Sequence, residues 1–222
     1  MQQVLEANKE LARRGLVMYT WGNVSGIDRD RGLVVIKPSG VPYETMTTAD
    51  LVVLDLDGRV VGGKLKPSSD APTHLALYKA FPGVGGIAHT HSTFAAAWAQ
   101  AGMDIPLLGT THADYFHGPI PCTEDLTREQ TEGEYEKETG EAIVRRFRGL
   151  DPTCVPGVLV KSHGPFTWGK DAAKAVYHSA VLEETAKMAW LTLQLNPEAS
   201  CSPFLELKHY LRKHGPGATY GQ

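Results

Sequence analysis

Apolar positions along the chain alternate between two periods. Val4, Leu5, Leu11 and Ala12 fall on one face of a 3.6-residue repeat, and Gly15 follows where a helix needs a left-handed stop, so the chain is predicted to open with an amphipathic helix. Short β-rich runs succeed it at LVVIK (33–37) and LVVLDL (51–56), the second closed by an Asp57-Gly58 turn that favours a hairpin. Pro72 then marks a helix start that Ser69 or Asp70 can cap; it carries Leu75, Leu77 and Tyr78 and stops at Phe81-Pro82. GGIAHTH reads as a strand, Ser92 as the cap of an Ala-rich helix that Gly102 closes, and the segment from Arg128 to Arg148 as a charged helix. GVLVKSH is a further buried strand, and Asp171 to Leu195, with Val176, Ala180, Leu182, Ala186 and Ala189 at helical spacing, is the longest helix.

Strands joined by tight turns and mixed with helices predict an α/β fold, a three-layer α/β/α sandwich around a largely antiparallel sheet, with active groups at strand ends. No internal repeat or linker interrupts the 222 residues, a length that one core can serve, so a single domain over 1–222 is expected.

Composition narrows the partners. Hydrophobic content of 42% and charged content of 21% describe an ordinary folded protein, and a net charge of -3 supplies no broad basic surface for nucleic acid. Cys122, Cys154 and Cys201 are odd in number and lack a C-x-x-C pattern, which argues against a disulfide framework or a thiolate zinc site and fits a reducing compartment. No apolar signal core opens the chain and no run of roughly 20 apolar residues follows, so no membrane partner and a cytoplasmic location are expected.

The candidate chemistry begins with His89-Thr90-His91. Side chains alternate along an extended strand, so both imidazoles point the same way and can meet one ion. His163, after the apolar run GVLV, completes a three-histidine set of the kind that leaves zinc open to substrate. Nine histidines in one chain also make a His-x-His pair by chance, so the pair alone is weak evidence.

Three turns, TWGNVSG (20–26), KPSG (37–40) and KPSSD (66–70), offer backbone N–H groups and hydroxyls to one small phosphate; singly they are ordinary turn chemistry, and Lys37 reads equally as a solvated surface charge. Asp70 suits a helix cap or a metal-site acid. Asp114, in GTTHADYF, is either an exposed loop carboxylate or a proton carrier whose pKa partial desolvation raises. Tyr220 lies in the tail HYLRKHGPGATYGQ, a helix end followed by an arm that either stays loose or closes a proton donor over a site.

Taken in order, TWGNVS, IKPSG, KPSSDAPTH, HTHS, GTTHADYF, SHGPFTWG and KHYLRKHG with its YGQ ending resemble the class II aldolase family (aldolase class II, adducin head), most closely its L-ribulose-5-phosphate 4-epimerases. The resemblance runs from the first helix to the C-terminus and is specific through the combination of blocks. It implies an α/β/α fold and a homotetramer with active sites between neighbouring subunits, the arm 215–222 docking at such an interface. It further implies Zn2+, one per subunit, on His89, His91 and His163, with Mn2+ as another candidate ion, and Asp70 as the acidic metal-site residue. Gly22, Asn23, Lys37, Ser39, Gly40, Ser68 and Ser69 would surround the phosphate of a pentulose phosphate. Asp114 and Tyr220 would be the acid-base pair, reaching the substrate across a subunit boundary.

The chemistry so implied interconverts L-ribulose 5-phosphate and D-xylulose 5-phosphate. C4 is not adjacent to the C2 carbonyl, so removing its hydrogen as a proton leaves an unstabilised carbanion. Loss of the C4 hydroxyl proton with cleavage of C3–C4 leaves an enediolate that a Lewis-acidic metal stabilises. Rotation of the glycolaldehyde phosphate and recombination invert C4, which calls for proton-handling groups on both sides. Two other readings stand beside this one. An aldolase such as an L-fuculose-phosphate aldolase would release its aldehyde; such aldolases carry glutamate where Asp70 stands. A noncatalytic adducin-head-like module would have no use for all three histidines.

Overall fold

The computed structural model describes residues 1–216 and 218. Helix α1 (Gln2–Arg13) buries Val4, Leu5 and Leu11 as the sequence period predicts, and Gly15 takes the left-handed conformation that ends it. Strands β1 (Asn23–Asp28), β2 (Leu33–Ile36), β3 (Val52–Asp55) and β4 (Val60–Gly62) follow; Asp57 and Gly58 turn β3 into β4. Helix α2 (Ala71–Ala80) leads to β5 (Gly86–His89), α3 (Thr93–Ala101) and the short α4 (Thr110–Ala113). The charged segment is not one helix: Gly133 separates α5 (Arg128–Glu132) from α6 (Tyr135–Arg146). The hairpin β6 (Gly157–Val160) and β7 (Gly164–Gly169), the long α7 (Ala172–Leu195) and α8 (Pro203–His214) complete the chain.

The seven strands form one sheet in the order β4-β3-β2-β1-β5-β7-β6, and every pair of neighbours is antiparallel. One strand corrects the sequence reading and another adds to it. Only the front of TWGNVSG is a turn; Asn23 to Gly26 are the first four residues of β1. GPFTWG, for which no element was predicted, is the buried strand β7, in which Pro165 is tolerated because the chain has just left the Lys161–His163 turn.

Alternation along β1 separates the layers. Val24 joins an apolar cluster with Val4, Leu5 and Leu11 of α1 and Ala172, Ala175 and Val176 of α7. Ser25 faces the other way, its hydroxyl bonded to the His74 ring (2.7 Å) and to the Tyr78 hydroxyl (2.8 Å) of α2. The second cluster, with Leu75, Leu77, Ile87, Phe147, Leu159 and Trp168, fills that side. Each fully buried Leu or Val contributes about 1.5–3 kcal/mol, so the two clusters together outweigh any polar contact described below. Among the described residues no helix is long and apolar enough to cross a membrane.

Candidate metal centre and its cavity

Register places the histidines. Asn23 of β1 lies opposite His89 of β5, which lies opposite Phe166 of β7, so the three side chains share the face that α2 covers. His91 lies two residues beyond His89 and keeps that direction. His163 comes from the turn between β6 and β7, where Ser162 holds a φ of 61°. The donor atoms of His89, His91 and His163 all lie within 4.8 Å of one another, a set that can hold a metal ion.

The second nitrogens support that use. His89 directs Nδ1 at the Pro165 carbonyl (3.0 Å) and stacks on Phe166, which leaves Nε2 facing His91 Nε2 at 3.1 Å. His163 Nδ1 meets the Tyr135 hydroxyl at 3.3 Å. Burial pushes the His89 pKa down to about 3 and lowers those of His91 and His163, so near neutral pH all three are uncharged imidazoles with lone pairs to give. Three neutral imidazoles converging near a carboxylate, two of them lining a cavity, suit a divalent ion of the zinc class.

Asp70 starts α2 without capping it: its side chain bonds no N–H of the helix. Its Oδ2 instead accepts from Asn23 Nδ2 (2.6 Å) and the Ser68 hydroxyl (3.4 Å). Burial pushes this carboxyl up, but His89, His74 and the Asn23 amide together hold it below the usual range, so it is anionic. It lines the cavity beside the histidines without joining their 4.8 Å cluster among the described residues. Among the described residues the Asn23 Oδ1 atom is buried without a hydrogen-bond partner, an acceptor open to a ligand.

All three predicted turns converge on one cavity of about 520 Å³, lined by Gly22, Asn23, Lys37, Ser39, Gly40, Ser68, Ser69 and Asp70 together with His91 and His163. The repeated K-P-S is not coincidence. The two copies run antiparallel, Ser68 N–H donating to the Lys37 carbonyl (2.9 Å) and Ser39 N–H to the Lys66 carbonyl (3.0 Å), with Pro38 opposite Pro67. Lys37 is not a solvated surface charge: it is 1% exposed, and burial lowers its pKa to about 8. Its ammonium contacts are the carbonyls of Thr20 (3.5 Å) and Pro38 (3.3 Å) and the ring of Tyr43 at 4.9 Å. A buried cation next to Asn23 and two serine turns is suited to a small anion.

Asp114 departs from its expected environment. Partial desolvation was expected to raise its pKa; burial does push that way, but two bonds from Arg212 (3.0 and 2.7 Å), one with His209 (3.1 Å) and the ammonium of Lys213 at 3.6 Å bring it below the ordinary value. It is buried rather than an exposed loop carboxylate, and it does not line the cavity of its own chain. Tyr220 lies outside the described residues, as does most of the arm 215–222.

Sequence reasoning missed four residues of this site. Tyr43 donates to the carbonyls of Trp21 and Gly22 (2.6 and 2.8 Å), fixing the first turn. Trp21, Tyr135 and Glu136 line the cavity wall. Tyr135 and Glu136 open an amphipathic helix and carry no local signal of a site; the Pro42-Tyr43 pair one residue after KPSG was the available hint for Tyr43.

Comparison with known proteins agrees with this fold. An L-fuculose 1-phosphate aldolase superposes with a TM-score of 0.79 at 24% identity, over 94% of this chain and 92% of that one. The L-fuculose-1-phosphate aldolase of Thermus thermophilus gives 0.71 at 20% identity, over 89% and 97%. The YgbL protein of Klebsiella pneumoniae, whose name leaves it open between aldolase, epimerase and decarboxylase, gives 0.73 at 24% identity, over 93% and 95%. These likenesses establish the fold. The sequence profile of the Class II Aldolase and Adducin N-terminal domain family matches residues 2–190, and the chain belongs to that family.

Proposed function

We propose that this protein is a zinc-dependent L-ribulose-5-phosphate 4-epimerase. The observation that carries the reading is one cavity lined by His91, His163, an anionic Asp70, the buried Lys37 and three hydroxyl-bearing turns, with His89 completing the histidine cluster behind it. That inventory serves a phosphorylated polyol ketone: one end for the phosphate, the other for adjacent oxygens. The preference for epimerisation over aldol release rests on Asp70, the HADYF block and the YGQ ending.

Lys37, Ser39, Gly40, Ser68, Ser69, Gly22 and Asn23 hold the phosphate. A zinc ion on His89, His91 and His163 supplies Lewis-acid stabilisation of the negative charge that develops as C3–C4 breaks. A base takes the C4 hydroxyl proton, the C3–C4 electrons move onto the ketose fragment, and C4 becomes an aldehyde. While its phosphate stays anchored, glycolaldehyde phosphate rotates, C3 attacks the opposite face, and the new C4 alkoxide takes a proton. Asp114 and Tyr220 of a neighbouring subunit handle these protons, in a homotetramer whose arms 215–222 dock at the shared sites. The ion pair with Arg212 keeps Asp114 deprotonated.

The test is incubation of the metal-loaded protein with L-ribulose 5-phosphate. D-xylulose 5-phosphate is the expected product. Stoichiometric glycolaldehyde phosphate and dihydroxyacetone without it would transfer the assignment to a class II aldolase, the activity named for two of the structural neighbours. No metal bound and no turnover on any sugar phosphate would leave an adducin-head-like binding module.

A further inference from the structure

We infer that Tyr135 is a positioning residue for the metal centre: its hydroxyl fixes the tautomer and ring orientation of His163. This rests on the metal-site reading above and not on the identity of the sugar phosphate. An imidazole that gives Nε2 to a metal carries its proton on Nδ1, and the acceptor of that proton sets the ring's direction. For His89 the acceptor is the Pro165 carbonyl, 3.0 Å away. For His163 the partner is the phenol of Tyr135, 3.3 Å from Nδ1. Backbone holds one ligand and a side chain holds the other.

The asymmetry follows from where the two histidines lie. His89 ends a strand whose neighbour β7 supplies a carbonyl by register. His163 is in a turn, with no strand opposite it, so a group must come from elsewhere. It comes from the first residue of α6. Gly133 breaks the helical run just before it, and three contacts then fix the new helix. The Thr73 hydroxyl of α2 donates to the Glu136 carbonyl, the Thr139 hydroxyl to the Tyr135 carbonyl (2.8 Å), and Gly140 lies so close to α2 that a Cβ there would approach the Ala76 methyl to 2.6 Å. Helix α2 is the one Asp70 begins. The α2–α6 pair therefore delivers the anionic Asp70 and the orienter of His163 to the same cavity as one packed unit.

The experiment compares the full-length protein with Tyr135→Phe, which keeps the ring and removes the hydroxyl. Zinc affinity by chelator competition is expected to fall about 10–100-fold, as outer-shell changes at metal-bound histidines do. The visible absorption of the cobalt(II)-loaded variant should shift, while the melting temperature of the metal-free protein stays near that of the parent. Zinc affinity within twofold of the parent together with an unchanged cobalt spectrum would overturn the inference. Should the variant fold poorly, the zinc-loaded parent decides alone: nitrogen-15 spectra of the histidine rings are expected to show His163 protonated on Nδ1, and protonation on Nε2 would refute the assignment. None of these measurements uses a sugar phosphate, so their failure is distinct from failure of the epimerase reading.

Discussion

His89 and His91 bring their Nε2 atoms to 3.1 Å, although Thr90 between them is turned away and bonds Ser92. Two neutral imidazoles at that separation compete for one proton or share one cation. His91 is the most exposed of the three, and among the described residues its ring meets only Trp21 and the rings of His89 and His163. His91→Ala is therefore expected to keep the parent's circular dichroism and to lose more zinc affinity than the roughly 10–100-fold typical of an outer-shell change. Metal analysis of the purified variant decides it: a full equivalent of tightly held zinc would rule His91 out as a ligand.

Lys37 ties ligand binding and stability to pH in opposite senses. Its folded-state pKa, about 8, lies below the ordinary lysine value, so between the two the unfolded chain binds more protons and stability should rise as pH climbs through that window. Below about pH 8 both states are protonated and the contribution is constant and unfavourable. If Lys37 holds the phosphate as proposed, binding needs the cation and should weaken above about pH 8. Lys37→Met is predicted to raise the melting temperature, by about 2–4 °C for each kcal/mol recovered in a chain of this size, and to raise KM while flattening its alkaline rise. An identical KM profile in variant and parent would remove Lys37 from the anion site.

Asp114 is the post on which α8 is fastened. The helix has no buried residue of its own, and Arg212, Lys213, His209 and His214 all reach back to this one aspartate. Because the folded pKa is depressed, the contribution is present above the unfolded value of about 3.9 and lost as pH falls through the folded one. Charged hydrogen bonds of this kind contribute about 1.5–3 kcal/mol. Asp114→Asn should let the α8 amides exchange with solvent roughly tenfold faster or more at neutral pH, with β5 and β7 unchanged. Equal protection of α8 in both proteins would show that something else holds it.

That clasp also marks where the sequence stops being legible. His89 and His91 are readable because two residues of strand period aim them together, α1 and α7 because their apolar positions fall at helical spacing, and α2 and α3 because local cap and stop residues bound them. The environment of Asp114 is made by residues 95 and 98 positions later, and no local pattern carries that information. Strand β1 was hidden for another reason. Its inward Ser25 is satisfied by His74 and Tyr78 across 49 and 53 positions, so the apolar alternation that announces a strand is broken by a polar residue that is nonetheless buried. Tyr135 looks like any aromatic on an amphipathic helix until Gly133 is known to start that helix at it.

Gly22 is where the turn assigned to phosphate under the proposed function touches the strand that carries His89, and it tests whether they are one site. It holds a φ of 74°, and a Cβ on it would lie 2.6 Å from the His89 carbonyl oxygen and 2.8 Å from a Val17 methyl. The left-handed conformation alone costs a non-glycine residue about 1–2 kcal/mol. Val17 can rotate, but the His89 carbonyl is fixed in the sheet and cannot give way without moving the ring it belongs to. Gly22→Ala should thus cost about 2 kcal/mol or more of stability in denaturant titrations. It should also weaken zinc binding and raise KM together, although Gly22 has no side chain to offer either ligand. If stability falls while zinc affinity and KM both stay at parent values, the turn and the metal strand are mechanically independent, and the cavity is two sites that happen to adjoin.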